Sequence, residues 1–355
     1  MTKITIAVIG CGAIAELHFK ALSGFKNARI KYAVDGSLER AEKAKADYGC
    51  ENAVTDYKQA LADKEVGAVF ILTPNYLHHA ITMDALNAGK HIFCEKPIAL
   101  NYKQAAEMQE LANKKNLILD IGVCRSYHPS IEMLSEMAKR GDLGEIYHVY
   151  CSFRSHRSIP GLGGSFTTKA KSGGGILIDR GVHFLDSIMR VTGAKVKTVS
   201  ANCYSKLAKN IKDYNYNYMW AGPPKLDGIN DVEEFVTAFI RTDKAGISMN
   251  GAWAQNINKS EAFIDFLGDK GGARLEYDND CGFAKLTLYG SRNGSFEETV
   301  PVFAAVNLFE AEDKAFLQSV ADGKKNRNHI DNVIETAKAI DAIYESNEKG
   351  REITL

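Results

Sequence analysis

The sequence predicts an α/β fold that opens on a doubly wound parallel sheet, and three observations carry that expectation. Ile4 to Ile9 is a continuous apolar run rather than an alternating one, the pattern of a parallel strand covered on both faces. Gly10-Cys11-Gly12-Ala13-Ile14-Ala15 follows directly and leads into helical apolar spacing that runs to about Ser23. Strand-like and helix-like stretches then keep alternating through residues 1–123.

The glycine-rich segment is a G-x-G-x-x-A pattern. Gly10 permits the tight turn, Gly12 lets the backbone N–H groups of Ala13 and Ile14 approach a pyrophosphate, and the small Ala15 allows helix and strand to pack closely. A second strand, Arg29 to Val34, ends in Asp35, about 20 residues past the motif, where a carboxylate binds adenosine ribose hydroxyls. Residues 1–123 are therefore expected to form a dinucleotide-binding Rossmann domain. Asp35 would repel a 2′-phosphate, which favours NAD over NADP. Ser37 and Arg40 lie just beyond, where a phosphate would sit if Asp35 swung away, although Arg40 also reads as a solvated residue of the next helix.

Val66 to Leu72 reads as a buried strand ending in Thr73-Pro74-Asn75, followed by a helix over about 76–88. A strand over 90–94 ends in Glu95-Lys96-Pro97, a helix follows over 102–114, and Leu117 to Ile121 closes the sheet. Ligands of such sheets lie beyond the carboxyl ends of the strands, so Thr73, Pro74, Asn75, Glu95 and Lys96 are candidate cofactor contacts. His78 is a further candidate, with a packing role as the alternative reading. Proline disfavours helical backbone at the residue before it, which presents Lys96 outward from the strand end.

Residues 175–193 have the helical spacing Leu177, Val182, Leu185, Met189, with Asp179 and His183 four residues apart on the other side. Three glycines, Gly173 to Gly175, precede them and allow a close approach to something else. Asp186 competes with Asp179 for His183, and Arg180 faces a phosphate, a carboxylate or a neighbouring subunit.

The bulk composition excludes several classes. Lys+Arg and Asp+Glu both total 44 in 355 residues, which gives no electrostatic case for nucleic acid or a membrane surface. No apolar run approaches the roughly 20 residues needed to cross a bilayer, and MTKITIAVIG reads as a strand rather than a secretion signal. Seven dispersed cysteines without a C-x-x-C pair suggest reduced thiols in a cytoplasmic protein, with no metal site and no disulfide framework.

At GCGAIA (10–15), TPNYLH (73–78), CEKPIAL (94–100), GDLGEIY (141–147) and GGGILIDRGVHFLD (173–186) the chain resembles the glucose–fructose oxidoreductase/inositol dehydrogenase (Gfo/Idh/MocA) family. The resemblance implies a second α/β domain over 124–355 with a large open, mostly antiparallel sheet, used to build a homodimer or homotetramer. The C-terminal helices, patterned at about 308–322 and 329–347, are free to pack back on the first domain. Strand-like stretches at 232–241, 246–254 and 283–289 only hint at that sheet. The resemblance also implies an NAD-dependent oxidoreductase acting on a secondary hydroxyl of a sugar, glycoside or cyclic polyol, with Lys96, Asp179 and His183 as its catalytic set. Such an oxidation must remove a hydroxyl proton as hydride leaves, and imidazole suits the task at neutral pH.

Segment 151–172 is basic, and Arg154, His156 and Arg157 are candidate substrate contacts, with a solvated loop as the alternative. Tyr214, Tyr216, Tyr218 and Trp220 fall in the long segment 205–229, which suits either a sugar ring or a subunit interface. The loops resemble the glycoside 3-dehydrogenase branch. The competing readings are a glycosidase that oxidises its substrate transiently with NAD, and a non-catalytic nucleotide sensor.

Overall fold

The computed structural model describes residues 3–216, 219, 221–277 and 284–355, so Tyr218, Trp220 and Cys281 lie outside the described residues. The chain divides into two compact units, Met1–Cys124 with Val306–Ile334, and Arg125–Ala305 with Glu335–Leu355.

In the first unit six strands are present: β1 (Ile4–Ile9), β2 (Ala28–Val34), β3 (Asn52–Val54), β4 (Ala68–Ile71), β5 (His91–Glu95) and β6 (Leu119–Gly122). All pair in parallel, in the order β3-β2-β1-β4-β5-β6. The order reverses between β1 and β4, the switch point at which doubly wound sheets bind ligands. Helices α1 (Ala13–Gly24), α2 (Leu38–Tyr48), α3 (Tyr57–Ala62), α4 (His78–Asn87) and α5 (Tyr102–Lys115) connect the strands. Every residue of β4 is buried, as its unbroken apolar sequence requires. Local chemistry sets the helix starts: Ser37 caps α2 and Asn101 caps α5 through their side-chain oxygens.

The second unit holds α6 (Pro129–Arg140), the single turn α7 (Lys169–Ser172) and α8 (Val182–Thr192). Its strands are β7 (Ile146–Arg154), β8 (Val196–Tyr204), β9 (Phe235–Thr242), β10 (Gly246–Ala252), β11 (Glu261–Gly268), β12 (Gly272–Tyr277), β13 (Ala284–Arg292), β14 (Ser295–Thr299) and β15 (Ile353–Thr354). They form one sheet in the order β14-β13-β12-β11-β7-β10-β9-β8-β15. Only β7 and β10 pair in parallel among these strands. Burial alternates along the strands: Val236, Ala238 and Ile240 of β9 are buried while the residues between them are not. The covered face carries the core, in which Phe153, Phe184, Ile188, Trp253, Ile264 and Phe266 take part.

Two C-terminal helices complete the chain, α9 (Leu308–Asp322) and α10 (Ile330–Lys349). Asn307 caps α9 as its sequence suggests, accepting the Glu310 N–H at 3.2 Å. Helix α9 packs on α1 in the first unit, and Phe316 meets Phe70 edge-on at 5.2 Å.

One element departs from the sequence expectation. Residues 175–193 are not one continuous α-helix, because Leu177–Gly181 form a π-helical turn before α8 begins. Asp179 sits in that wider turn and His183 in the regular helix that follows. Inserted π turns of this kind concentrate at functional sites.

Candidate active site

The cradle at the start of α1 is built by glycine. Gly10 has φ +101°, and a Cβ there would lie 2.4 Å from the Leu72 carbonyl oxygen, so no larger residue fits the turn. Gly12 is the N-cap of α1, makes no side-chain capping bond, and has open space where a Cβ would point. The first-turn N–H groups and the helix dipole thus face a space suited to an anion. Asp35 lies at the end of β2, where its Oδ2 accepts the Cys11 N–H at 3.0 Å and its Oδ1 accepts the Ser37 N–H at 2.8 Å. Arg40 joins it, with a guanidinium nitrogen 2.6 Å from Oδ1. Burial works against ionisation of Asp35, but Arg40 and the two N–H groups outweigh it and hold the carboxyl below its usual range. The residues present fit a dinucleotide: N–H groups for the pyrophosphate and an ionised carboxylate for a ribose.

Two strand ends carry the remaining predicted cofactor contacts. Thr73, Pro74 and Asn75 follow β4 and are half-buried to exposed. His78 is wholly buried, its ring nitrogens 2.7 Å from the Pro97 carbonyl and 2.8 Å from the Thr73 carbonyl. It ties one loop to the other rather than presenting itself to a ligand. Lys96 is half-buried, whereas Glu95 turns inward to His18, and its Oε2 accepts the Lys96 backbone N–H at 2.9 Å. Glu95 therefore supports this loop from beneath, and the expectation of a direct cofactor contact gives way to that placement.

In the second unit, Asp179 on the π-helical turn and His183 in the first turn of α8 are both half-buried. Glu233 shapes that turn: its carboxylate accepts the Gly175 N–H at 2.9 Å, the Leu177 N–H at 3.0 Å and the Tyr344 hydroxyl at 2.9 Å. An acid at a helix start is favoured by the dipole. Burial nonetheless raises the Glu233 carboxyl above its ordinary value, with these hydrogen bonds opposing the shift. The glycines now have their reason. A Cβ on Gly174 would fall 2.0 Å from the Tyr344 hydroxyl, and one on Gly175 would fall 1.8 Å from the Glu233 carbonyl oxygen. Trp253 is buried and its indole N–H donates to Asp179 Oδ2 at 3.3 Å. Asp186 is engaged by Arg190, 3.1 Å away on the same helix. Arg180 is buried and donates to the Ser155 hydroxyl at 2.9 Å, so it braces the end of β7 from within.

The basic segment is largely committed to its own loop. Arg154 is ion-paired with Glu261 across β7 and β11, and its Nε also bonds the Ser152 hydroxyl at 3.2 Å. Arg157 donates to the carbonyls of His156 and Gln255 at 2.6 and 2.7 Å, and its guanidinium stands 6.0 Å from the Tyr214 ring. His156 and Arg157 line a polar cavity of about 470 Å³ with Asn215, Tyr216 and Ser260. Reading the sequence alone missed Glu233, Trp253, Tyr344 and His18. A carboxylate pair in an apolar setting, Glu233-Glu234 just before β9, was the one available signal.

A parallel sheet with a glycine turn for an anion and an ionised carboxylate after its second strand defines a dinucleotide-binding domain of the Rossmann type. Residues 4–123 match the oxidoreductase family with an NAD-binding Rossmann fold, and residues 131–274 match the GFO/IDH/MocA C-terminal domain. The chain belongs to the GFO/IDH/MocA oxidoreductase family. It is similar to D-glucoside 3-dehydrogenase of Escherichia coli (strain K12), 30% identical over 278 residues that cover 77% of each chain. Inositol 2-dehydrogenase of Rhizobium meliloti (strain 1021) is 29% identical over 210 residues, covering 59% of this chain and 61% of that protein. Among solved structures, a levoglucosan dehydrogenase in complex with NADH and L-sorbose shares the fold, with a TM-score of 0.87 at 20% identity over 100% of this chain and 99% of that one.

Proposed function

We propose that the chain oxidises a secondary hydroxyl of a sugar, glycoside or cyclic polyol, with NAD rather than NADP as the oxidant. The observation that carries the reading is the half-buried Asp179–His183 pair, Asp179 on a π-helical turn held by Glu233 and Trp253 and His183 at the start of α8, in a chain whose nucleotide domain places Lys96 just after β5. Bound nicotinamide supplies the hydride acceptor. His183 takes the hydroxyl proton at a ring nitrogen as the C–H bond breaks and the carbonyl forms, a role for which imidazole titrates in the right range. Lys96 binds the same hydroxyl and stabilises negative charge developing on its oxygen. Asp179, with its carboxylate fixed by the Trp253 indole, holds a neighbouring hydroxyl and orients the ring. The ionised Asp35 favours NAD, because a 2′-phosphate would meet its charge.

The relatives named D-glucoside 3-dehydrogenase and inositol 2-dehydrogenase support a ring hydroxyl as the target. The polar cavity with His156 and Arg157 suits a substituent of the substrate, and Arg154 stands beside it in sequence on β7. Exposed aromatic residues on the second sheet, Tyr147, Tyr150, Tyr204 and Tyr289, suit assembly into a homodimer or homotetramer. No helix among the described residues is long and apolar enough to cross a membrane, and the described cysteines are free thiols. The dispersed cysteine spacing is what supports a cytoplasmic enzyme.

The test is NADH formation, followed by absorbance, across a panel of cyclic polyols, free sugars and glycosides. Lys96→Met should lower turnover by about two to four orders of magnitude while leaving NAD affinity unchanged. Turnover at the parent rate in that variant would remove the proposed mechanism. Glycoside cleavage without net NADH would assign transient oxidation in its place, and inertness across the panel would point to nucleotide sensing.

A further inference from the structure

Beneath the Lys96 loop the first unit buries a set of ionisable groups that the chemistry above does not use. His18, on α1, is wholly buried among Phe93, Phe309 and Phe70, with ring separations of 5.1, 5.5 and 6.0 Å. Its Nδ1 lies 2.8 Å from Asp313 Oδ1 on α9, and its Nε2 lies 3.2 Å from Glu95 Oε1 at the end of β5. Glu95 then accepts the Lys96 backbone N–H through its other oxygen at 2.9 Å. The ring has a carboxylate oxygen at each nitrogen, an arrangement that is satisfied when both nitrogens carry protons. Burial alone would lower the His18 pKa, but Asp313 and Glu95 hold it well above the ordinary imidazole value.

The other groups facing this cluster are Glu312 of α9 and Asp120 of β6. Burial raises Glu312 well above its ordinary value, raises Asp313 against the pull of His18, and pushes Asp120 up to about 7. Glu312 is 1% exposed and both its carboxylate oxygens lack a hydrogen-bond partner, as suits a carboxyl kept neutral. A cation held by His18, Glu95 and Glu312, whose ligand atoms lie within 4.8 Å of one another, would have to displace the Nε2 proton that joins the ring to Glu95. A second, independent feature fixes Glu95. Its β6 neighbour is Gly122, and a Cβ there would come within 3.0 Å of the Glu95 carboxylate, so the acid lies flat over bare backbone.

A buried charged network of this kind is a poor source of stability, since apolar residues of equal volume often do as well. Its geometry is better suited to fixing one conformation. We propose that Asp313, His18 and Glu95 form a positioning relay that fixes the backbone at Lys96, making His18 and Glu95 positioning residues for that lysine. The proposal rests on the reading of Lys96 as the ligand of the reacting hydroxyl. The chain of contacts ends on the backbone from which the ammonium projects, and a displacement of about 1 Å at such a group costs on the order of a hundredfold in rate.

Three variants test it: Glu95→Gln and Asp313→Asn alter the relay, and Gly122→Ala presses on the Glu95 carboxylate without changing any ionisable group. The readouts are amide exchange at Lys96, NAD affinity, thermal stability, and kcat with its deuterium isotope effect on myo-inositol and methyl β-D-glucoside. The expected result is Lys96 exchange faster by about tenfold, kcat lower by about ten- to a hundredfold with a larger isotope effect, and NAD affinity within about threefold of the parent. A purely structural role would shift thermal stability alone. Unchanged Lys96 exchange and kcat in the folded Gly122→Ala and Glu95→Gln proteins would overturn the relay. Lys96→Met separates the two ideas. If it is inactive while the relay variants turn over normally, only the relay fails. If it is fully active, the role of Lys96 fails and the relay falls with it.

Discussion

Replacing Asp120 with Asn should change how the stability of the first unit depends on pH. Asp120 is 1% exposed in β6, with Oδ2 accepting a hydrogen bond from Asn326 and Oδ1 without a partner. Burial lifts its pKa from an ordinary 3.8 to about 7, with the Asn326 bond pulling the other way. The raised value means that between about pH 4 and pH 7 the folded protein keeps a proton that the unfolded chain has released. Its contribution to stability is therefore complete below about pH 4 and is lost as pH rises, by up to roughly 1.4 kcal/mol per unit. Over some three units the loss approaches about 4 kcal/mol, an upper figure because nearby Glu312 titrates in the same surroundings.

Asn has nearly the same shape and cannot ionise, so Asp120→Asn should gain on the parent protein as pH rises from about 4.5 to 8, by at least about 2 kcal/mol. Trp253 belongs to the second unit, so its indole fluorescence would follow the wrong part of the chain. Amide exchange of residues 119–122 in mild urea, without nucleotide, reads the first unit directly. A stability difference between the two proteins that stays flat over this range would refute the assignment of a buried, protonated Asp120.

Other outcomes follow from the same geometry. Asp35→Ser removes the ionised carboxylate beside Arg40 and should improve use of NADP relative to NAD by at least about tenfold, read as the ratio of kcat/KM values. Gly175→Ala forces a Cβ to 1.8 Å from the Glu233 carbonyl oxygen, so the turn carrying Asp179 must shift; turnover should fall by about a hundredfold with NAD affinity unchanged. Trp253→Phe keeps most of the buried ring but deletes the N–H donated to Asp179, and kcat/KM for polyol oxidation should drop by about five- to twentyfold. A Trp253→Phe enzyme with parent kcat/KM would show that this hydrogen bond does not orient the substrate.

The sequence by itself determined what depends on neighbours along the chain. The apolar run of β1, Gly10 and Gly12 in the turn, Asp35 after β2 and Asn307 at the head of α9 are readable because strand, turn, cap and helix signals act within a few residues. The same locality put Asp179 and His183 on one turn, although the π-helical form of that turn was not legible. That turn leans on a group 56 residues away, the Glu233 oxygen that accepts the Leu177 N–H.

Tertiary structure decided which polar groups meet. His18 reaches Asp313 across 295 residues and Glu95 across 77, and no periodicity marks either pairing. It also settled pairings that spacing left open: Asp186 pairs with Arg190, Arg154 with Glu261, and His78 turns inward to two carbonyls. The physical reason is common to all of them. A side chain's hydrogen-bonding capacity is fixed by its type, but which partner fills it depends on burial and on strands brought side by side, and both arise only when distant segments pack.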